Sequence, residues 1–159
     1  LMSGIFYPNQ GIVQVSSNKI GYVSATPLII NSDLRTNLTY GNNQKNIQDE
    51  VLIKYIESFK LFSINSEIDL ERSVSNKTLS MGQMQKIGFI RALASGIEVL
   101  ILDESTSNLD SESKELIYKI LSEEKITIIN STHSRNDFLK YDKHLEIIFD
   151  EGVRTVVSR

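Results

Sequence analysis

The sequence predicts an α/β fold, a mostly parallel sheet flanked by helices. Two apolar runs and the helix pattern before the first predict it. Val99, Leu100, Ile101 and Leu102 show no polar alternation. Such a run is the habit of a strand buried on both faces, as in a parallel sheet covered by helices. Ile126, Thr127, Ile128 and Ile129 form a second, β-branched run. Before the first run, residues 82–94 carry a helical pattern in which Ile87, Ile90, Arg91 and Ala94 share a face. Both runs end in polar residues, Asp103–Glu104 after the first and Asn130-Ser131-Thr132-His133 after the second. The carboxyl edge of an open α/β sheet is where ligands bind.

The elements follow in order. Residues 1–5 read as the tail of an apolar helix, and residues 7–11 as a turn with Pro8 and Gly11. Residues 12–15 and 20–23 read as two short strands around Ser16-Ser17-Asn18. Residues 49–62 form an amphipathic helix, with Val51, Leu52, Tyr55, Ile56 and Phe59 recurring at three and four. Residues 64–78 are polar and irregular. Ser80 is a good N-cap for the helix over residues 82–94. Asp110 caps a further helix through Leu121, with Leu116, Ile117, Ile120 and Leu121 apolar and Glu112, Glu115 and Lys119 on the wet side. Residues 135–140 read as a short helical turn in which Phe138 and Leu139 pack. Residues 144–149 and 153–157 alternate around Glu151-Gly152, a hairpin signal. His144 reads as a surface or strand residue.

Composition narrows the class. The 159 residues suit one domain with a core. A net charge of −3 gives no basic footprint for nucleic acid. With no cysteine there is no disulfide framework and no thiolate metal site. No apolar run approaches the roughly 20 residues that span a bilayer.

The residues after the two strands carry the chemistry. Unpaired buried charge is costly, so two adjacent acids at the end of a buried strand admit two readings. One is an ordinary solvated strand end. The other sets a divalent cation beside one carboxylate and frees the second to act on a water. His133 is structural or catalytic on the same terms, at the same predicted edge. The start of the helix after Ser80 reads either as a capped helix or as an anion site formed by free N–H groups and the macrodipole.

Residues 79–110, LSMGQMQKIGFIRALASGIEVLILDESTSNLD, resemble the nucleotide-binding domain of ABC transporters. LSMGQ is similar to that family's signature, usually LSGGQ. VLILDE resembles its Walker B strand with the catalytic glutamate, SNLD (residues 107–110) its D-loop, and STHS (residues 131–134) its switch-histidine segment. Four motifs in the family's order make a specific match. Tyr22, Val23, Pro27, Arg35, Asn37, Tyr40 and Gly41 resemble the exporter branch.

The resemblance implies a P-loop NTPase of ABC type with a helical subdomain over about residues 42–98, signature helix included, and a RecA-like core in the remainder. It implies ATP and Mg²⁺ as cofactors and hydrolysis that drives transport by an attached transmembrane domain. Asp103 would hold Mg²⁺ through water, Glu104 would be the general base, and His133 would contact the γ-phosphate. Ser80, Gly82 and Gln83 would reach the nucleotide of a second, head-to-tail copy, and Asp110 would couple the two sites.

Two departures stand out. No Gly-Lys pair occurs, so the G-x-x-x-x-G-K-[ST] loop is absent from these 159 residues, and the chain reads as the C-terminal part of such a domain. The loop glutamine of the family falls at Ala25, which can neither contact Mg²⁺ nor orient water, and Thr26 does not inherit that role. Two rival classes fit the sequence less well. A DNA-associated ATPase would insert a long coiled coil before the signature, and residues 41–78 show no sustained heptads. A soluble, ribosome-associated ABC ATPase is disfavoured by the exporter-like segment 35–41.

Overall fold

The computed structural model describes residues 8–42, 47–63, 66–133, 141–150 and 153–158. Its centre is a three-stranded, wholly parallel sheet. β1 (Ile20–Ser24), β4 (Val99–Asp103) and β5 (Thr127–Ser131) lie in the order β1-β4-β5. Ser24, Asp103 and Ser131 stand side by side at its carboxyl edge. Two further strands, β2 (Ser32–Asp33) and β3 (Ser73–Val74), pair antiparallel, as do β6 (Leu145–Asp150) and β7 (Val153–Ser158). The helices are α1 (Leu34–Thr39), α2 (Asp49–Ser58), α3 (Met81–Ala94) and α4 (Ser111–Glu123).

β4 behaves as its composition requires. Leu100 and Leu102 are fully buried, and Val99 nearly so. The core runs from there through α3 (Ile87, Phe89, Ile90) into α1 and α2 (Leu34, Leu38, Leu52, Ile56). Phe59 and Phe89, both fully buried, stack with ring centroids 6.2 Å apart and join α2 to α3. Arg35 ties α1 to the start of α2 through two hydrogen bonds to Asp49 and reaches Glu71 at 2.8 Å.

Several expectations need correction. Residues 12–15 form no strand. Ile12 is 86 % exposed, because this stretch pairs with no neighbour among the described residues. β5 is displaced by one residue from the expected run and extends to Ser131. Its side chains are exposed or half-buried, since among the described strands it is paired on one side only. α2 stops at Ser58, short of residue 62. Lys60 takes a left-handed φ of +47°, its N–H reaching Glu57 O and that of Leu61 reaching Ile56 O, a Schellman ending. Residues 64–78 are less featureless than expected, because β3 pairs with β2 and buries Val74, while Leu70 is also buried. The expected features at residues 1–7, 135–140 and 151–152 lie outside the described residues.

The β6–β7 hairpin appears as its alternation implies, although Leu145, Ile147 and Phe149 along one face are more than 60 % exposed. His144 is half-buried, its ring tilted against Tyr141 at 5.4 Å. Among the described residues no helix is long and apolar enough to cross a membrane.

Both aspartate caps form. Asp33 accepts from Thr36 N at 2.6 Å, and Asp110 accepts from Ser113 N at 2.8 Å. The backbone N–H of Ser113 holds the Asp110 carboxyl below its usual range, as that of Thr36 does for Asp33. A depressed folded value means stability that is present above the unfolded carboxyl range, near pH 4, and lost as pH falls through the folded value. Asp110→Ala is therefore expected to lower the melting temperature at neutral pH, and the gap to the parent chain is expected to close in acid. Melting curves across pH 2–7 check it; a gap independent of pH would refute the cap as its source.

Candidate functional site

The site is built where β4 and β5 end. Asp103 is the last residue of β4, and Glu104 leaves the strand with a left-handed φ of +49°. That conformation costs a non-glycine residue roughly 1–2 kcal/mol. It persists because Glu104 N donates to Ser131 O at 2.9 Å, adding one more bond to the ladder, and a turn closes behind it through Ser107 N to Glu104 O. The turn throws the Glu104 side chain over the end of β5. There its Oε1 meets His133 Nε2 at 2.9 Å. Glu104 is about half-exposed, and the His133 side chain is 92 % exposed.

Asp103 points elsewhere. Its Oδ2 accepts from the Tyr22 hydroxyl at 2.8 Å, across from the neighbouring strand β1. That bond and partial burial raise the Tyr22 phenol above its ordinary range, so at neutral pH Tyr22 is a donor. The two adjacent carboxylates are thus separated in role, with Asp103 oriented by a hydroxyl and Glu104 facing an imidazole.

The polar turn before α3 forms a full capping box. Ser80 Oγ accepts from Gln83 N at 3.2 Å, and Gln83 Oε1 accepts from Ser80 N at 2.9 Å. Ser-x-x-Gln is the sequence form of that box. Gln83 also donates to Leu61 O at 3.3 Å. Gly82 lies beside the turn that follows β4, where a Cβ would sit 3.7 Å from the Leu109 side chain. Lys86, one turn further, feels Asp110 as a nearby negative charge, although burial dominates and lowers its pKa. The first turn of α3 and the N-cap of α4 are therefore neighbours.

Residues 1–107 match the family described as ABC transporter. The chain belongs to the ABC transporter family. Its parallel sheet flanked by helices is that of a P-loop NTPase. The match ends before Asp110 and His133, whose link to the family is the motif resemblance of residues 107–110 and 131–134. Among similar proteins, the SPbeta prophage-derived sublancin-168-processing and transport ATP-binding protein SunT of Bacillus subtilis is 30% identical over 129 residues, covering 80% of this chain and 18% of the relative. The lactococcin-A transport/processing ATP-binding protein LcnC of Lactococcus lactis is 34% identical over 140 residues, covering 84% and 19%. ABC multidrug transporter B of Aspergillus fumigatus is 30% identical over 138 residues, covering 85% and 9%. The matched stretch is thus at most about a fifth of the length of these relatives.

Against the sequence reading, this ABC chain brings Glu104 and His133 into contact, sets Asp103 beside them on the same edge, and groups Ser80, Gly82 and Gln83 at one helix start near Asp110. Ala25 follows β1 in a bend, where its carbonyl accepts from Asn108 Nδ2 at 3.3 Å. Two residues escaped as parts of the site. Tyr22 belongs to the exporter-like segment, but its bond to Asp103 carries no signal in the sequence. Gln85 was detectable, as a polar residue on the face of α3 that holds Phe89 and Ala92 at helical spacing; it is fully buried.

Proposed function

We propose that this chain is part of an ATP-binding and hydrolysing domain that powers export through an ABC transporter, on the cytoplasmic side of the membrane. The observation that carries the reading is the 2.9 Å contact of Glu104 with His133 beside an independently oriented Asp103. Glu104 is the general base that polarises the attacking water, and His133 contacts the γ-phosphate. Asp103 would hold Mg²⁺, through water. The donor set fits that ion: Mg²⁺ bound with a nucleotide takes one or two carboxylates, with phosphates and water as its other ligands, and Asp103 is exposed.

In this reading Ser80, Gly82 and Gln83 reach the nucleotide of a second, head-to-tail domain. Gln83 would have to release its capping-box bond to do so. Asp110 couples the two sites, and its nearness to the first turn of α3 supports that role. Residues 42–98 form the helical subdomain toward the transmembrane partner, supported by the packing of α2 on α3. Nucleic acid has no place in the reading, and the names of the relatives favour export over a ribosome-associated ATPase.

These 159 residues hold no G-x-x-x-x-G-K-[ST] loop, whose N–H groups and lysine supply most phosphate affinity. Calorimetric titration of the chain alone with Mg-ATP is expected to show no sub-millimolar binding and no turnover. A longer transporter that carries this chain after such a loop is expected to hydrolyse ATP and move cargo in vesicles. Tight binding to the chain alone, or an inert longer protein, would overturn the reading.

A further inference from the structure

Gln85 is fully buried in the middle of α3, on a face otherwise given to Phe89 and Ala92. Its two amide protons go to two backbone carbonyls that belong to different parts of the site. One is Ser24 O, at 2.9 Å; the other is Ser105 O. Ser24 is the last residue of β1 and the register partner of Asp103. Ser105 follows Glu104 directly. One side chain therefore grips the residue across the sheet from Asp103 and the residue next to Glu104.

The amide is not there for packing. Gln85 Oε1 and Ser105 Oγ are both buried with no hydrogen-bond partner among the described residues. Turning the amide over would set Oε1 against two carbonyls, so the observed orientation is the one that chemistry permits. A buried acceptor without a donor costs stability, and an apolar side chain of equal shape would avoid that cost. What only the amide supplies is the pair of bonds to the strand ends. The strained backbone at Glu104 needs such support, because a left-handed conformation persists only when its surroundings over-determine it.

We propose that Gln85 is a positioning residue for Glu104: it fixes the backbone after β4 against the end of β1 and so aims the Glu104 carboxylate at its place beside His133. This rests on the reading of Glu104 as general base. The helix that carries Gln85 starts at Ser80, Gly82 and Gln83, so the element read above as facing a second copy also holds the turn that bears Glu104. Ala25 adds to the need, since the loop after Ser24 has no long polar side chain there and is held by main-chain contacts to Gln85 and Asn108.

Gln85→Met tests it, because methionine keeps the length, removes both donors, and also removes the unpaired oxygen. Gln85→Asn, which keeps the amide but withdraws it by one methylene, is the second variant, and Lys119→Ala on the wet face of α4 is the control. In the isolated chain, an imidazole spectrum resolves two histidines, His133 and His144. Both Gln85 variants are expected to displace the His133 signal and leave that of His144 in place. In the longer transporter, kcat is expected to fall about tenfold, the order of a misplaced rather than a missing base, with KM for ATP within about twofold. A Gln85 that only fills the core would change melting and leave the His133 signal where it was. An unmoved His133 signal in a folded variant, or an unchanged kcat, overturns the proposal. Absence of ATP turnover in the unsubstituted transporter would instead sink the function proposed above, and the imidazole measurement on the isolated chain would still stand or fall by itself.

Discussion

Glu104→Gln, made in a transporter that carries this chain, is expected to lower ATP turnover by about 10²–10⁴, the usual loss on removing a general base. Water attacking a phosphoryl group needs a partner that orients it and accepts its proton. Asp103 is engaged by the Tyr22 hydroxyl at 2.8 Å and is read as the cation's ligand, which leaves it a poor base. Glu104 is free of that duty and faces His133 at 2.9 Å. Glutamine keeps the size and the hydrogen bonding of the side chain but lacks the basic oxygen. In the proposed reading Ala25 stands where the family carries its loop glutamine, so Glu104 would work with less help. ATP binding is expected to survive, and the variant to accumulate as an ATP-bound dimer. Single-turnover hydrolysis and size-exclusion chromatography with ATP measure the two effects. Hydrolysis within a few-fold of the parent would remove Glu104 as the base.

Phe89→Ala is expected to cost about 3–5 kcal/mol, the range for emptying a buried aromatic site. Phe89 is fully buried and stacks on Phe59, which is also fully buried. The pair joins α2 to the helix that carries both the capping box and Gln85. The cavity would open where two helices meet. A domain of this size has only about 5–15 kcal/mol of stability in all, so the variant loses a large share of it. By contrast Ile12→Ala, at a side chain 86 % exposed, is expected to stay within about 0.5 kcal/mol. Urea unfolding followed by far-ultraviolet circular dichroism separates the two. A midpoint for Phe89→Ala close to that of the parent would show that the α2–α3 contact is not part of the cooperative core.

What the sequence by itself determined rests on short-range rules. The unalternated run at residues 99–102 specifies a buried strand, because only a sheet covered on both faces asks for four consecutive apolar residues. Ser80 and Asp110 specify helix starts, because their side chains satisfy the N–H groups three residues on. The alternation in residues 144–149 and 153–157 specifies a hairpin. The family motifs between Leu79 and Ser134 specify an ABC domain. Each of these follows from neighbours within a few positions of the chain.

The tertiary structure decided what depends on distant partners. Residues 12–15 and 126–129 are alike in apolar content, yet only the second forms a strand, because β4 is there to pair with it, and its burial is partial because β4 covers one side. The Glu104–His133 contact joins two elements 29 positions apart, and it exists only because β4 and β5 are in register and the backbone at Glu104 takes a left-handed turn. Tyr22 on Asp103 and Gln85 on Ser24 and Ser105 are likewise contacts between elements. A polar residue in an apolar stripe hints that some partner exists, but only the packed sheet supplies the carbonyls that name it.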